Sequence, residues 1–229
     1  MKKPTRSLPR LGNLARQIRR ALSSDAVRRR PFPGSAPYWE NRYARGRHSG
    51  PGSLGQLAEF KAGVINRLVA EHRVESVLEF GCGDGSQLRL ACYPTYIGFD
   101  VSPTALSLCK KEFAADPGKT FKLMEQYRGE TADLTLSLDV VYHLVEDEVF
   151  EPYMRRLFQA SRRLVAIYSS DTADRPVTEE PHIRHRNVTG WIRDHQPGWQ
   201  LIEQIPNPYP FRGDPDTGSF ADFFIYRKG

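Results

Sequence analysis

The stretch of sequence that decides the fold is Ser76-Val77-Leu78-Glu79-Phe80-Gly81-Cys82-Gly83-Asp84-Gly85. It has the form of an apolar strand that ends beside a carboxylate and is followed at once by three glycines at alternate positions. Glycine has no Cβ atom and adopts positive φ without strain, so a ligand can touch the main chain in such a turn. The stretch therefore predicts a ligand site where a strand turns into a helix.

Two classes of cofactor use a glycine-rich turn of this kind. A dinucleotide site requires G-x-G-x-x-G, which places a pyrophosphate at a helix N-terminus. Here the third glycine comes one residue early, and Ser86 stands in its place. A short-chain dehydrogenase would also need Tyr-x-x-x-Lys, and none of the ten tyrosines has Lys four residues on. The pattern therefore disfavours NAD and favours a ligand whose ammonium and sulfonium groups face Glu79.

The same residues resemble motif I of the class I S-adenosylmethionine-dependent methyltransferases. Tyr96-Ile97-Gly98-Phe99-Asp100 resembles the second strand of that family, which ends in an acid, and this acid lies 21 residues after Glu79. Residues 133–143 look like the fourth strand with its following loop, and residues 163–170 like the fifth. The resemblance covers roughly residues 38–228 and implies that S-adenosyl-L-methionine is the cofactor.

A narrower resemblance concerns the acceptor side of the chain. Three segments look like those of a bacterial group of such enzymes associated with glycosyltransferases. They are Ser137-Leu138-Asp139, residues 142–147 and residues 182–186. Motif I and the second acid are specific for the family, whereas they say little about the substrate.

The resemblance also implies roles for individual residues. Asp100 would take the two ribose hydroxyls, to which a carboxylate offers two acceptor oxygens. Glu125, after the third strand, would accept from the adenine amine. The full set of expected cofactor-binding residues is Glu79, Gly81, Cys82, Gly83, Gly85, Asp100, Val101, Glu125, Asp139 and Val140.

Strand-like and helix-like segments alternate along the rest of the chain, which predicts an α/β fold. We expect a doubly wound, Rossmann-like seven-stranded sheet with helices on both faces, an antiparallel last strand, and ligands outside the carboxyl ends of the strands. Ser53 is expected to cap the first helix of the domain. The predicted strands are 76–80, 96–100, 121–124, 133–138, 163–170, 199–205 and 221–227, and the predicted helices are 53–72, 102–115, 146–162 and 187–195.

Composition places the protein among single-domain chains. Its 229 residues are 39% hydrophobic, and no apolar run approaches the roughly 20 residues of a membrane span. The three cysteines are odd in number and form neither C-x-x-C nor a spacing typical of metal ligands. We therefore expect a reducing, cytoplasmic location and no metal. The methyltransferase domain is predicted to occupy residues 54–229.

The positive charge of the chain is concentrated at its N-terminus. Residues 1–30 carry a net charge of +9, whereas the whole chain carries +6, so residues 31–229 carry −3. Within residues 1–30, Leu11, Leu14, Ile18 and Leu22 form one stripe of a helix. This basic amphipathic extension is predicted to lie on the inner face of an anionic membrane, to dock on a partner protein, or to touch nucleic acid. The alternative is a solvated extension without a partner. We favour nucleic acid least.

Residues 31–53 are rich in proline and glycine, which predicts an irregular linker or a lid over the cofactor. Tyr38, Trp39 and Tyr43 are the expected substrate-binding residues of this segment, since aromatic faces suit a sulfonium. Ordinary packing is the alternative role for Trp39 and Tyr43.

Histidines are the expected bases for methyl transfer to a hydroxyl. Transfer from a sulfonium needs mainly in-line positioning and the removal of one proton. His182 and His185 are the first candidates because their segment is polar, and His143 is the third because its neighbours favour packing. Arg184 and Arg186 are expected to bind an anionic acceptor such as a phosphorylated or carboxylated sugar.

Other methyl acceptors and a metal are disfavoured by specific residues. Amino-methyltransferases of nucleic-acid bases carry Asp/Asn-Pro-Pro-Tyr/Phe where this chain has Asp139-Val140-Val141-Tyr142. Cytosine C5 chemistry needs Pro-Cys, which does not occur here. Asp139 and Asp171 resemble the magnesium ligands of catechol-type enzymes, but Thr172 stands where those enzymes have Asn.

The sequence thus predicts an S-adenosylmethionine-dependent O-methyltransferase that acts on a small-molecule or saccharide acceptor, free or lipid-linked. Two alternatives stay open. One is an RNA methyltransferase that uses the basic extension as an electrostatic anchor. The other is a methyltransferase-like binding subunit without catalysis.

Overall fold

The computed structural model of the protein describes residues 32–172 and 180–229. Within them one seven-stranded sheet has the order β3-β2-β1-β4-β5-β7-β6. The extension predicted for residues 1–30 lies outside the described residues, and residues 34–229 form one contact-defined unit. The strands are β1 Ser76–Phe80, β2 Thr95–Asp100, β3 Lys119–Leu123, β4 Ala132–Leu138, β5 Ser161–Ser169, β6 Trp199–Ile205 and β7 Asp222–Lys228.

Helices cover both faces of this sheet. On one face Ile65 and Leu106 pack with Val77 of β1, and on the other Met154 and Ile192 pack with Leu78 of the same strand. Neighbouring residues of one strand therefore enter opposite cores, as the two-residue period of a strand requires. The helices are α1 Ser35–Ala44, α2 Gly55–Glu71, α3 Pro103–Glu112, α4 Asp147–Gln159 and α5 Val188–His195.

The strand register brings the predicted acids to one edge of the sheet. Strand β1 runs parallel to both β2 and β4, with Phe80 opposite Phe99 and Glu79 opposite Leu136. Asp100 ends β2 and Asp139 follows β4, so both lie beside the end of β1. Strand β7 is antiparallel to β5 and β6. The predicted fold class, with its antiparallel last strand, is confirmed.

Residues 32–53, the described part of the predicted linker or lid, are more ordered than predicted. They contain α1 and a short 3₁₀ turn at Pro51–Ser53, so the expectation of an irregular segment is wrong. Pro37 does not prevent α1 because it lies in the first turn, where backbone N–H groups have no intrahelical partner. Ser53 does not cap α2 either, since Leu54 occupies the cap position and makes no side-chain bond.

The segment after motif I and the start of α3 show two further local features. The motif I turn leads into a 3₁₀ turn at Gln87–Leu90 and not into an α-helix. Ser102 caps α3 through its side chain, which accepts from the Ala105 N–H. Among the described residues no helix combines the length and the apolar character that a membrane crossing requires.

Candidate active site

A cavity of about 390 Å³ opens at the carboxyl ends of β1, β2 and β4, and we call it the inner cavity. It brings together eight of the ten predicted cofactor residues, namely Glu79, Gly81, Cys82, Gly83, Asp100, Val101, Asp139 and Val140. Gly85 and Glu125 are not among its lining residues. Gly85 packs near Phe113 and Cys109, and Glu125 is exposed, while its neighbour Met124 reaches the cavity.

Glu79 is a buried acid in the floor of the inner cavity. Its side chain is only 5% exposed and accepts a 2.5 Å hydrogen bond from the Tyr96 hydroxyl. Burial raises the pKa of Glu79 to about 7, although Tyr96 and the charge of Lys61 act in the opposite direction. A carboxylate that water does not solvate favours a cationic partner, which the ammonium of an amino acid supplies.

Asp100 is held by the main chain. Its two oxygens accept from the Gly83 N–H at 2.9 Å and from the Ser102 N–H at 2.8 Å. Burial raises its pKa to about 6 in spite of these bonds. The carboxylate is thus fixed at the end of β2, where the predicted contact with a ribose diol requires it.

The glycines of motif I are needed for close approach as well as for their backbone angles. Gly81 has φ of 86°, and a Cβ atom there would lie 2.4 Å from a methyl group of Val140. Gly83 has φ of 58°, and its Cβ would lie 2.4 Å from Ser49 Oγ and 2.9 Å from the Tyr43 hydroxyl. The protein's own side chains therefore occupy part of the space beside these glycines, and a ligand need not account for all of it.

Helix α1 forms one wall of the inner cavity, to which it contributes Trp39 and Tyr43. At its start the Ser35 hydroxyl donates to Glu146 at 2.5 Å. In its middle Glu40 accepts bonds of 2.6 Å from both Ser102 Oγ and Thr104 Oγ1 at the start of α3. These bonds hold α1 against the starts of α3 and α4.

Asp139 has an unusual backbone and two strong partners. Its φ of 59° is rare for a residue other than glycine and marks a constrained turn after β4. One carboxylate oxygen accepts from Lys61 Nζ at 2.5 Å and the other from the Tyr142 hydroxyl at 2.7 Å. Lys61 is 1% exposed and its ammonium lies 5.4 Å from the centre of the Tyr168 ring.

Sequence reasoning missed Lys61. The residue belongs to the buried stripe of α2 together with Leu57, Val64 and Leu68, but a charged residue in a helix is ordinarily assigned to the solvated face. Its position between Leu57 and Ile65, four residues from each, was the signal that it points inward.

A second cavity of about 900 Å³ adjoins the first, and we call it the outer cavity. It is lined by the aromatic residues Trp39, Tyr142, Phe211 and Phe220 and by the three predicted bases. The residues that line both cavities are Trp39, Ser49, Ser53, Asp139 and His143. These five residues form the boundary at which groups held in the two cavities can meet.

His143 is the only one of the three predicted bases, all of which are described, that lines both cavities. Its Nδ1 lies 2.9 Å from the backbone carbonyl oxygen of His182. The edge of its ring faces Trp39 at a centroid distance of 4.8 Å. Burial lowers the pKa of His143 to about 4, so the ring is neutral at physiological pH.

His182 and His185 line only the outer cavity. The ring of His182 stacks between the rings of Tyr38 and His143, at centroid distances of 4.5 Å and 5.3 Å. Tyr38, one of the predicted substrate-binding residues, therefore lies against His182. Burial lowers the pKa of His182 as well. His185 Nδ1 lies 2.7 Å from Ser170 Oγ, and its ring meets Phe220 edge-on.

Arg184 and Arg186, the residues predicted to bind an anionic acceptor, both pair with Asp147. Neither lines either cavity, and both guanidinium groups lie 2.9 Å from the same Asp147 oxygen. Arg186 also donates to the carbonyl oxygens of Leu144 and Val145 and lies over the Phe150 ring. The polar composition of the segment predicts a solvated or binding loop, because these partners are distant in sequence.

The two acids considered for magnesium have other partners. Asp171 accepts from the N–H and the hydroxyl of Thr189 at the start of α5, and Asp139 pairs with Lys61. Residues 32–172 and 180–229 contain no group of three or more His, Cys, Asp or Glu side chains that could hold a metal ion.

Sequence comparison gives a family for the central part of the chain. Residues 78–166, from β1 to β5, match the family described as "Methyltransferase domain". The matched segment contains motif I, Asp100 and the boundary residues Asp139 and His143. A comparison with curated proteins found no significant match.

Solved structures with the same fold include enzymes with different acceptors. The N-methyltransferase NodS from Bradyrhizobium japonicum WM9, in complex with S-adenosyl-l-homocysteine, has a TM-score of 0.65 at 15% identity over 85% of this chain and 98% of its own. Magnesium protoporphyrin IX methyltransferase (ChlM) from Synechocystis PCC 6803, with bound SAM, has a TM-score of 0.60 at 14% identity over 87% of this chain and 100% of its own. Mitomycin 7-O-methyltransferase MmcR has 0.56 at 12% identity over 76% of this chain and 55% of its own.

The inner cavity also fits S-adenosylmethionine by its chemistry. Asp100 is a fixed acceptor for a ribose diol, Glu79 is a buried acid for an ammonium, and the Gly81–Gly83 turn allows close approach to the main chain. The match of residues 78–166 to a methyltransferase domain, taken with these features, makes the protein an S-adenosylmethionine-dependent methyltransferase, and its strand order is that of the class I fold.

Proposed function

We propose that the protein methylates a hydroxyl oxygen of a small-molecule or saccharide acceptor, with His143 as the base. When bound, S-adenosylmethionine supplies an activated methyl group on a sulfonium. The observation that carries the proposal is that His143 lines both the inner and the outer cavity. A base at this boundary can reach a hydroxyl held in the outer cavity beside the methyl group.

The hydrogen bond of His143 fixes its tautomer. A carbonyl oxygen only accepts, so Nδ1 must carry the proton that it donates to the His182 carbonyl. Nε2 is then the acceptor of the neutral ring. Because the pKa is lowered to about 4, the ring is unprotonated across the physiological pH range, although the same shift makes it a weaker base. We therefore rank His143 ahead of His182 and His185, which reverses the order expected from the sequence.

The outer cavity supports a ring-shaped acceptor with hydroxyl groups. Trp39, Phe211 and Phe220 offer aromatic surface, while Arg42, Glu180 and the histidines offer polar groups around it. Binding sites of this composition hold the apolar face of a ligand and fix its orientation by a few polar contacts. A saccharide has both an apolar face and a ring of hydroxyls, so we favour it over a nucleic acid base.

Incubation of the protein and S-adenosylmethionine with a library of sugars and sugar-containing lipids tests the acceptor. The proposal expects a mass increase of about 14 Da on an oxygen of the acceptor, because a methyl group replaces a proton. Modification of RNA alone would support the RNA alternative. Intact cofactor binding with no turnover on sugars, lipids or RNA would support the binding subunit.

We further propose that the protein works in the cytoplasm, with residues 1–30 as an attachment to an anionic membrane or a partner. The +9 charge of this segment supports an electrostatic contact. Deletion of residues 1–30 is expected to weaken sedimentation with vesicles containing anionic lipid and to leave the affinity for S-adenosylhomocysteine unchanged. Equal sedimentation before and after deletion would contradict the membrane role.

A further inference from the structure

The position of Lys61 makes the inner cavity electrostatically asymmetric. Four acids line this cavity, namely Glu79, Asp100, Asp139 and Glu148, and the lysine that lines it lies at the Asp139 end. Strand β1 separates β2, which ends in Asp100, from β4, which precedes Asp139. A cofactor whose ribose lies on Asp100 therefore extends across β1 toward Asp139 and Lys61.

The far end of S-adenosylmethionine is an amino acid, with one ammonium and one carboxylate. A carboxylate that enters a buried space lined by acids requires a cation, because an unpaired buried charge is strongly unfavourable. The other arginine or lysine that lines this cavity is Arg156. It lies on α4, and its charge acts on Tyr127 after β3, which places it toward the Asp100 side.

Lys61 has the capacity to take this carboxylate. An ammonium carries three donors, and Asp139 Oδ2 takes one of them at 2.5 Å. The side chain enters from α2 and is held against the Tyr168 ring, so its ammonium is placed in advance. Preorganised charge binds more strongly than charge that must be ordered during binding.

A second side chain supplies an oxygen for the ammonium. The amide nitrogen of Gln87 donates to the carbonyl oxygen of Ala58 at 3.0 Å, which fixes the orientation of the amide. Gln87 Oε1 is then buried, and within the described residues it has no hydrogen-bond partner. Gln87 lines the inner cavity, and its partner Ala58 lies on α2 one turn before Lys61. A buried acceptor without a partner is costly and marks a position for a donor.

We propose that Lys61 binds the carboxylate of the cofactor and that Gln87 Oε1 shares the cofactor's ammonium with Glu79. Neither residue belongs to the glycine-rich motif or to the acids that sequence reasoning identified. The two residues make the enzyme selective for the complete amino acid end. This inference rests on the cofactor alone, so it can fail while the proposed acceptor and base remain correct.

Calorimetric binding of three ligands tests each contact separately. The ligands are S-adenosylhomocysteine, its decarboxylated analogue, which keeps the ammonium, and 5′-methylthioadenosine, which lacks both groups. For Lys61→Met we expect S-adenosylhomocysteine to bind about 10- to 100-fold more weakly and the decarboxylated analogue to change by less than about threefold. For Gln87→Leu we expect both ammonium ligands to bind about 3- to 10-fold more weakly and 5′-methylthioadenosine to be unchanged.

Matched variants separate binding from folding. Lys61→Arg keeps the charge and should retain the preference for S-adenosylhomocysteine over its decarboxylated analogue. Arg156→Met removes a charge from the other end of the cavity and should change the affinities for these two ligands by the same factor. Lys61→Met in an Asp139→Asn background leaves no unpaired carboxylate, and the same selective loss is expected there if the single variant does not fold. An equal loss for both ligands in that background would show that Lys61 only pairs with Asp139 and would overturn the proposal.

Discussion

The two cavities of this enzyme differ in how their polar groups are held. In the inner cavity the acids are fixed by neighbours, since Asp100 is bound by two backbone N–H groups and Glu79 by Tyr96. In the outer cavity the histidines and aromatic rings contact one another across three segments of chain, as in the stack of Tyr38, His182 and His143. The first arrangement suits a cofactor whose structure is the same in every enzyme that uses it. The second arrangement suits an acceptor that differs from one enzyme to another.

The comparison predicts that variants of the two cavities fail in different ways. Changes in the inner cavity should alter cofactor affinity, whereas changes at the boundary should alter the rate of methyl transfer. The predictions that follow are ordered by the size of the expected effect.

Loss of the base at the boundary should have the largest effect. We expect His143→Gln to lower kcat by about 10²- to 10⁴-fold, because it removes general base catalysis. The affinity for S-adenosylhomocysteine should change by less than about threefold. The measurement is steady-state turnover together with calorimetry on the same preparation.

Two matched variants control for this result. His182→Gln and His185→Gln remove histidines from the outer cavity and should keep more than about a tenth of the wild-type kcat. If either loses as much as His143→Gln while folding normally, the assignment of the base is wrong.

Removal of the acid at the end of β2 should have the next largest effect. We expect Asp100→Asn to weaken S-adenosylhomocysteine binding by about 10- to 100-fold, because hydrogen bonds to a charged acceptor are stronger than those to a neutral amide. Asp133→Asn is the control, since this acid lies at the opposite end of β4 and pairs with Arg162. An unchanged affinity in Asp100→Asn would place the ribose elsewhere.

Arg186 should affect stability rather than acceptor binding. Arg186→Met removes donors from two buried carbonyl oxygens and from Asp147, so we expect the free energy of unfolding to fall by about 1–3 kcal/mol. Chemical denaturation measures this change. A rise in KM for the acceptor without loss of stability would restore the acceptor-binding role that the sequence suggested.

Cofactor affinity should depend on pH through Glu79, with a smaller effect than the substitutions above. The pKa of Glu79 is about 7 in the folded protein, above its ordinary value, and we propose that its ionised form pairs with the ammonium of the cofactor. We therefore expect affinity to be complete above pH 7 and to fall by about tenfold per pH unit well below it. Calorimetry of S-adenosylhomocysteine between pH 5.5 and 8.5 measures this dependence.

The Glu79→Gln variant is the control for that titration. A glutamine does not ionise, so the part of the pH dependence near neutrality should disappear.

In the absence of ligand, the free energy of unfolding should depend on pH with the opposite sign to the cofactor affinity. Because the folded protein holds the Glu79 proton more tightly than the unfolded chain does, stability should fall as pH rises from about 4.5 to about 7.

The sequence allowed the fold and most of the inner cavity to be predicted for a physical reason. The residues of motif I are contiguous, and Asp100 ends the adjacent parallel strand, so spacing along the chain determines their arrangement at the edge of the sheet. Alternation of strands and helices predicted the doubly wound α/β class in the same way.

The remaining features depend on contacts between distant segments. Lys61 meets Asp139, Arg186 meets Asp147, and His143 meets Trp39 only because the folded chain brings separate elements together. No local period encodes such pairs. The same holds for α1, where the prolines indicated a loop but bonds from Ser35 and Glu40 to other elements hold a helix in place.

A crystal structure of the complex with S-adenosylhomocysteine is the most direct test of the central claim that transfer occurs at the boundary of the two cavities. The account predicts that the ribose hydroxyls lie on Asp100 and that the sulfur lies in the inner cavity facing Trp39, Asp139 and His143. A sulfur directed away from these three residues, toward the surface at Val101 or Val149, would contradict it.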